Sequence, residues 1–289
     1  MVVTIAHNSN VVLPALAADL AHQSQLPVAW LVVDNSPLSA PLAAAPLRQA
    51  GLPLRILRGV EGDGFGAGCN RAFDLLAAEG WRGWVWLLNP DTALPRGDEL
   101  AGLQEQLAAL PADALVGTAV VDGAGGLEAS GGWIDPGFRF RRRRIGAGQK
   151  LRVAPLSLDW LSGCSLALRP GDHRPPLRFD ARFPLYYEDM DLCLRQRQRG
   201  APVLWLPRPR VLHRRGTGSA GPGPRRQHLS SLGYLRFVRR HCPAWVFALR
   251  ALRLLALSLL RLPLQPCRSL AVLTALVAVV AESLRGVPA

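Results

Sequence analysis

The chain of 289 residues is 49% hydrophobic and only 19% charged, which excludes a largely disordered polypeptide and supplies a core for one generous domain, or a domain with an appendage. Its formal net charge of +13, nearly all from arginine, points to a polyanionic partner such as nucleic acid, an anionic membrane face or a phosphorylated substrate; an arginine-biased composition is the plainer alternative. Five scattered cysteines, Cys69, Cys164, Cys193, Cys242 and Cys267, with no CxxC spacing, argue against a disulfide framework or a structural zinc site and fit a reducing compartment.

In chain order, residues 2–6 read as a short buried strand with no signal-peptide pattern around them, and 11–23 as a helix. Strands follow at 28–33, ending in Asp34-Asn35-Ser36-Pro37, and at 54–57. A helix over 70–79 stops at Gly80, and a fourth strand over 84–88 ends in Asn89-Pro90-Asp91. Short apolar runs alternating with helical patterns predict βαβ units and a largely parallel sheet, whose ligands sit at the carboxyl ends of the strands. Residues 123–132 are turn-rich, and Arg139 with Arg141–Arg144 falls in a predicted loop that closes on Gly146-Ala147-Gly148. An apolar strand is expected over 160–168. A turn at Tyr186 leads into a helix to Gly200, with acids at its start and arginines at its end, as the helix dipole favours. Strand-like runs at 203–206 and 211–213 precede a Gly/Pro-rich linker over 216–224. Beyond it, 245–262 forms an apolar helix with Arg250, Arg253 and Arg261 on one face and Trp245, Leu249, Leu252, Leu255 and Leu259 opposite. A second apolar run over 270–281 is shorter than the ~20 residues of a bilayer span, so the pair reads as interfacial amphipathic helices, or as helices packed on protein.

Three clusters carry chemistry on their own residues. Asp91, at a strand end, could hold a divalent ion against a diphosphate, although Asn-Pro-Asp-Thr is also good turn chemistry. Glu188, Asp189 and Asp191 crowd behind Tyr186-Tyr187; repulsion among them can create a general base, while Asp189 could equally cap the helix and Asp191 is better read as complementing its dipole. His213 ends a strand and could be a metal ligand or a structural histidine. Gly62–Gly68 contains a weak GxGxxA register after the wrong strand and is read as a flexible loop. The chain has no GxxxxGK[ST], GxSxG or HExxH motif.

Taken in order, these segments resemble the family 2 glycosyltransferases, in particular the rhamnosyltransferase-like branch. Thr4-Ile5-Ala6-His7-Asn8, Val32-Val33-Asp34-Asn35-Ser36, Gly64-Phe65-Gly66-Ala67-Gly68-Cys69-Asn70, Leu87-Leu88-Asn89-Pro90-Asp91-Thr92, Ser162-Gly163-Cys164-Ser165-Leu166, Tyr187 through Arg195 and Pro207 through His213 match the family's successive motifs over roughly 2–219. His7 stands where a Tyr is common, Asn89 replaces the first acid of a DxD, and Pro209 replaces a small residue. The resemblance implies a GT-A fold: an α/β/α sandwich with a mostly parallel sheet over 1–220, here with C-terminal amphipathic helices over 221–289. It also implies an inverting displacement at a nucleotide-diphosphate sugar. Asp189 would be the base, with Glu188 the runner-up, and Asp91 and His213 would bind Mg²⁺ or Mn²⁺. Asn8, Asp34, Asn70 and Asn89 would hold the nucleotide sugar, Asp34 by accepting from a pyrimidine base. Trp160, Ser162 and Gly163 would line the acceptor side. The expected acceptor is a lipid-linked or cell-surface glycan, the expected donor dTDP-rhamnose or a UDP-hexose. The protein is expected at the cytoplasmic, anionic face of the plasma membrane, with an oligomer left open and no nucleic-acid partner. Nucleotidyl transfer and nucleic-acid binding are the competing functions; a basic triphosphate loop would mark the first and a recognisable nucleic-acid module the second.

Overall fold

The structure, a computed structural model, describes residues 1–128, 130–134, 142–145, 155–214 and 223–286. Arg139, Arg141, Gly146-Ala147-Gly148 and most of the expected linker lie outside the described residues. The first half runs β1 (Val2–Ala6), α1 (Leu13–Ala21), β2 (Trp30–Asp34), α2 (Ala44–Arg48), β3 (Leu54–Arg58), α3 (Phe65–Ala78), β4 (Val85–Leu88), β5 (Thr92–Ala93), α4 (Glu99–Ala108) and β6 (Leu115–Val121). The second half adds β7 (Gly131–Ile134), β8 (Arg142–Arg144), β9 (Leu156–Ser157), β10 (Trp160–Leu161), β11 (Ser165–Leu168), α5 (Glu188–Gln198) and β12 (Val203–His213). Helices α6 (Pro224–His241), α7 (Ala244–Arg261) and α8 (Pro266–Leu284) close the chain.

The strands β1, β2 and β4 are buried at every residue, which is why they read as continuous apolar runs rather than alternating ones. Alternate residues feed two cores. Val3, Ile5, Leu31 and Val33 pack with Phe73 of α3 and Leu192 of α5, while Val2, Trp30 and Val32 pack with Leu13 and Leu16 of α1 and Leu103 of α4. Each such side chain, fully removed from water, contributes about 1.5–3 kcal/mol. Trp30 is fully buried because its indole N–H donates to Thr4 Oγ1 at 3.0 Å.

The main sheet has the order β3-β2-β1-β4-β11-β6-β12-β5. β1, β2 and β3 pair in parallel, as do β1 with β4 and β6 with β12, and β11 is antiparallel to both β4 and β6. One edge therefore collects the carboxyl ends of β1, β2, β4, β6 and β12 together with the amino end of β11. His7, Asp34, Asn89, His213 and the Ser162–Cys164 turn all fall along it, and the order reverses at β1/β4, where open α/β sheets bind ligands.

Several expected elements change form. The run over 160–168 is two strands broken at Ser162–Cys164, and 203–213 is one strand with a register shift between Leu206 and Arg210, where Pro207 and Pro209 cannot donate to a ladder. The glycine-rich segment is not a flexible loop: residues 65–68 are the first turn of α3, and a Cβ on Gly66 would stand 2.8 Å from the Phe179 Cβ. Glycine is there for close packing. The C-terminal apolar run is longer than its sequence pattern suggests, because α8 extends over 19 residues and is by length and composition able to cross a membrane.

Helix α6 is tied to the sheet domain. Phe237 and Val238 enter its main core, and the Tyr187 ring lies 5.3 Å from Phe237 and 5.8 Å from Tyr234. Asp191 of α5 is fully buried and accepts from Arg195 Nε at 2.7 Å and from His241 Nε2 of α6 at 2.9 Å, with Arg240 Nη1 at 3.4 Å. Dipole complementation alone does not account for that carboxylate; a buried charge persists only where it is paired.

Candidate active site

At the carboxyl end of β4, the Thr92 hydroxyl and amide donate to the Asn89 carbonyl at 2.6 and 3.2 Å, and the Asn89 amide donates to the Cys164 carbonyl at 3.1 Å. The turn hands the chain to β5, whose Thr92 registers with His213. Asp91 and His213 thereby meet, with Nε2 3.3 Å from Asp91 Oδ2, and the Arg214 amide donates to the Asp91 carbonyl at 2.8 Å. The other ring nitrogen, Nδ1, lies 2.8 Å from Glu128 Oε2. The Asp91 contact raises the imidazole pKa; burial opposes it, Glu128 reinforces it, and the result is about 8.

Glu128 carries no sequence motif. It follows the Gly123–Gly126 turn, where its amide donates to the Val120 carbonyl at 2.8 Å, and it reaches His213 across 85 positions. Only a pattern of acids just after the β6 turn could have drawn attention to it.

Opposite this group, the Gly163 amide donates to Asp189 Oδ2 at 2.9 Å and the Met190 amide to Oδ1 at 2.8 Å. A Cβ on Gly163 would fall 2.9 Å from the Phe65 ring, so glycine here makes room for that ring. Between the two groups lies Cys164, buried, its thiol pushed far up by burial and then by the charges of Asp91, Glu128 and Asp189. The charges of all three carboxylates reach that thiol.

Glu188 differs from its neighbour. It is 7% exposed, and burial first, then the Asp189 charge, raises its pKa to about 8. Near neutral pH it keeps its proton in most molecules, and Glu188 is therefore the weaker candidate for the base. A stability consequence follows. In the unfolded chain Glu188 ionises near its ordinary value of 4.5, so the unfolded state sheds a proton that the folded state keeps. Between that pH and about 8, folding loses on the order of 1.4 kcal/mol per pH unit from this group, and above 8 the loss is constant. Glu188→Gln, neutral throughout, should therefore gain stability over the wild type progressively from pH 5 to 8 in chemical denaturation. Parallel stability–pH curves for the two proteins would contradict this.

Two residues expected at the nucleotide also make hydrogen bonds within the fold. Asp34 is 3% exposed and accepts from the amides of Ser36 at 2.9 Å and Leu42 at 3.0 Å, and from Arg58. Burial raises its pKa, but hydrogen bonds from the Ser36 hydroxyl, these amides and Arg58 outweigh it, and the net shift is downward. These donors hold the carboxylate in place at the end of β2. Asn70 exchanges two hydrogen bonds of 2.9 Å with the backbone of Phe179, pinning that segment to α3. Asn8 is exposed at positive φ, its amide donating to Ser36 Oγ at 2.9 Å, and remains available. On the acceptor side, Ser162 is partly exposed while Trp160 is buried in β10, opposite Gly132.

Among the described residues no group of three or more His, Cys, Asp or Glu side chains is arranged to hold a metal by itself. Asp91 and His213 are two donors. That number suits an ion whose shell is completed by phosphate and water, and a carboxylate on Nδ1 is the usual support of a ligating imidazole.

The Glycosyl transferase family 2 model matches residues 1–156. An N-acetylglucosaminyl-diphospho-decaprenol L-rhamnosyltransferase of Mycobacterium tuberculosis is 27% identical, over 86% of this chain and 87% of its own length. Among solved structures, GalNAc-T7 with UDP, GalNAc and Mn²⁺ superposes with a TM-score of 0.58 at 13% identity over 83% of this chain, which spans about half (47%) of that structure's length. The mannosyltransferase PcManGT from Pyrobaculum calidifontis, in complex with GDP-Man and Mn²⁺, gives 0.53 at 15% identity over 98% of this chain and 86% of its own.

Proposed function

The chain belongs to glycosyl transferase family 2 and is a glycosyltransferase of GT-A fold; on that premise we propose that it transfers a sugar, with inversion, from a nucleotide-diphosphate donor to a lipid-diphosphate-linked glycan at the inner face of the plasma membrane. Family membership favours sugar transfer over nucleotidyl transfer. The observation that carries the reading is the pair of groups facing each other across Cys164: Asp189 held by Gly163, and Asp91 beside His213 braced by Glu128.

In this reading Asp189 removes the proton from the acceptor hydroxyl as its oxygen bonds the anomeric carbon. The bond from that carbon to the diphosphate breaks on the opposite face, and the leaving group departs as nucleoside diphosphate. Asp91 and His213 hold a divalent ion, which when bound supplies charge neutralisation for that diphosphate. The imidazole donor favours Mn²⁺ over Mg²⁺, which prefers an all-oxygen shell. Glu128 would keep the Nδ1 proton, so that once an ion displaced the Nε2 proton that nitrogen would face it with its lone pair. Asn8 and Asn89 face the donor, Asp34 with Arg58 stiffens the loop beneath it, and Ser162 and Gly163 border the acceptor. The relative's printed name supports L-rhamnose as the sugar and a diphospholipid-linked N-acetylglucosamine as the acceptor class, and dTDP-rhamnose is the donor the motif resemblance implies. The test is a panel of dTDP-rhamnose and UDP-hexoses with a diphospholipid-linked N-acetylglucosamine and Mn²⁺, reading nucleoside diphosphate release. Release of dTDP from dTDP-rhamnose is expected; no acceptor-dependent release from any donor would sink the reading.

The C-terminal helices support attachment to a membrane surface. Trp245, Leu249, Leu252, Leu255 and Leu259 of α7 are all exposed, and so are Leu270, Val277 and Leu284 of α8. The opposite side of α8 packs Val272, Ala275, Leu276 and Val279 against α6, so the helix lies against protein, which favours peripheral seating over a span. With Arg250, Arg253 and Arg261 each worth about 1 kcal/mol near anionic lipid, binding to anionic vesicles should exceed binding to neutral ones by on the order of a hundredfold at low salt. Cosedimentation checks this, and high salt or alkaline carbonate should release the protein, whereas an integral span would resist both.

A further inference from the structure

A second polar cavity, of about 250 Å³, opens between the turn entering α5 and the first turns of α6 and α8, lined by Tyr186, Gly223, Arg226, Gln227, Ser230 and Arg268. No carboxylate lines it. Two guanidiniums, an amide and two hydroxyls offer hydrogen-bond donors, and the volume suits a small anion rather than a sugar nucleotide.

The placing of the arginines is the more telling fact. Arg226 and Arg268 both sit in the first turn of a helix that begins Pro224 or Pro266, and neither helix has an acid in that turn. Cations at this end oppose the helix dipole unless an anion lies between them and the free amides. Arg226 is also committed to the turn: its guanidinium donates to the Tyr186 hydroxyl at 2.9 Å and lies 5.5 Å from that ring's centroid. Tyr186 and Tyr187 hold φ of 63° and 70°, unusual for aromatic residues, and they lead directly into Glu188 and Asp189. Arg268 has no carboxylate partner among the described residues, and beside it Leu264 and Leu270 are 83% and 53% exposed.

We propose that this cavity binds the diphosphate of the lipid-linked acceptor, with Arg268 and Arg226 on the phosphates and the lipid leaving past Leu264 and Leu270. The assignment rests on the lipid-diphosphate reading above. A headgroup anchored there, next to the Tyr186–Tyr187 turn, places its sugar toward Asp189.

The test is calorimetric titration of the full-length protein with farnesyl diphosphate in EDTA, so that no metal draws the ligand to Asp91 and His213. Farnesyl diphosphate should bind, Arg268→Ala should weaken it about tenfold or more, and Arg268→Lys should weaken it less. Farnesol should show no dependence on Arg268. Equal affinity of wild type and Arg268→Ala for farnesyl diphosphate overturns the site, as does farnesol binding as tightly as the diphosphate. Inorganic pyrophosphate binding as tightly as farnesyl diphosphate would assign the cavity to a free anion and overturn the lipid assignment. If the wild type transfers sugar to diphospholipid acceptors while Arg268→Ala keeps its affinity, only the cavity assignment fails. If the wild type uses only acceptors lacking a diphosphate, the underlying reading fails and the site falls with it.

Discussion

Asp189→Asn should leave a folded protein whose turnover is lower by a factor on the order of 10² or more, the usual worth of a general base. The replacement is isosteric but not free. Asp189 accepts from Gly163 with one oxygen and from Met190 with the other, and an amide has only one acceptor. One amide donor then faces an NH₂ group, a loss of about 1–3 kcal/mol and a fall in Tm of several degrees. The kinetic loss should therefore appear at 25 °C, well below the melting transition, where almost all molecules are folded. Glu188→Gln is the matched control. It also removes a carboxylate from the cluster, yet should retain most activity, because Glu188 is already protonated at neutral pH. An active Asp189→Asn beside an inactive Glu188→Gln would move the base to Glu188.

The second large effect concerns Asp91. EDTA should abolish transfer, Mn²⁺ should restore it, and Asp91→Ala should reduce it by roughly 10³-fold even with Mn²⁺ in excess. Such a factor corresponds to about 4 kcal/mol of lost charge stabilisation at the leaving diphosphate. Glu128→Gln separates ligand from support. It leaves Asp91 and the ring in place but weakens the brace on Nδ1, so it should raise the Mn²⁺ concentration for half-activity by 10–100-fold with a smaller loss at saturation. Full activity in EDTA would remove the ion from Asp91 and His213 together.

What the sequence discloses of this molecule follows the range of the forces involved. Strands β1, β2 and β4 were legible because burial on both faces leaves an unbroken apolar run. β6 was missed: Gly117 and Thr118 interrupt Leu115–Val121, although six of its seven residues are buried. α6 was missed because a Gly/Pro onset and many arginines mask its apolar stripe. At the sheet edge, Asp91, His213 and Asp189 stood in recognisable local patterns. Glu128 did not, since its meaning lies in a contact 85 residues away. Asp34 and Asn70 were recognisable as positions, but their hydrogen bonds to Leu42, Arg58 and Phe179 are tertiary, and no local pattern distinguishes a brace from a ligand.

The buried carboxylate of Asp191 has a bearing on how relatives of this protein could be recombined. Two of its three partners, Arg240 and His241, come from α6. A chimera joined at the glycine- and proline-rich stretch before Pro224 would strand that charge beside Arg195 alone, at a cost of roughly 3–5 kcal/mol for the broken pair. A junction placed after His241 keeps the set intact and exchanges only α7 and α8. The exchangeable module of this enzyme is thus the helical hairpin with the exposed leucines, as long as its second helix still fits Leu232, Leu235 and Arg236 of α6, and transplanting it should alter the surface the enzyme visits while leaving its sugar chemistry where it was.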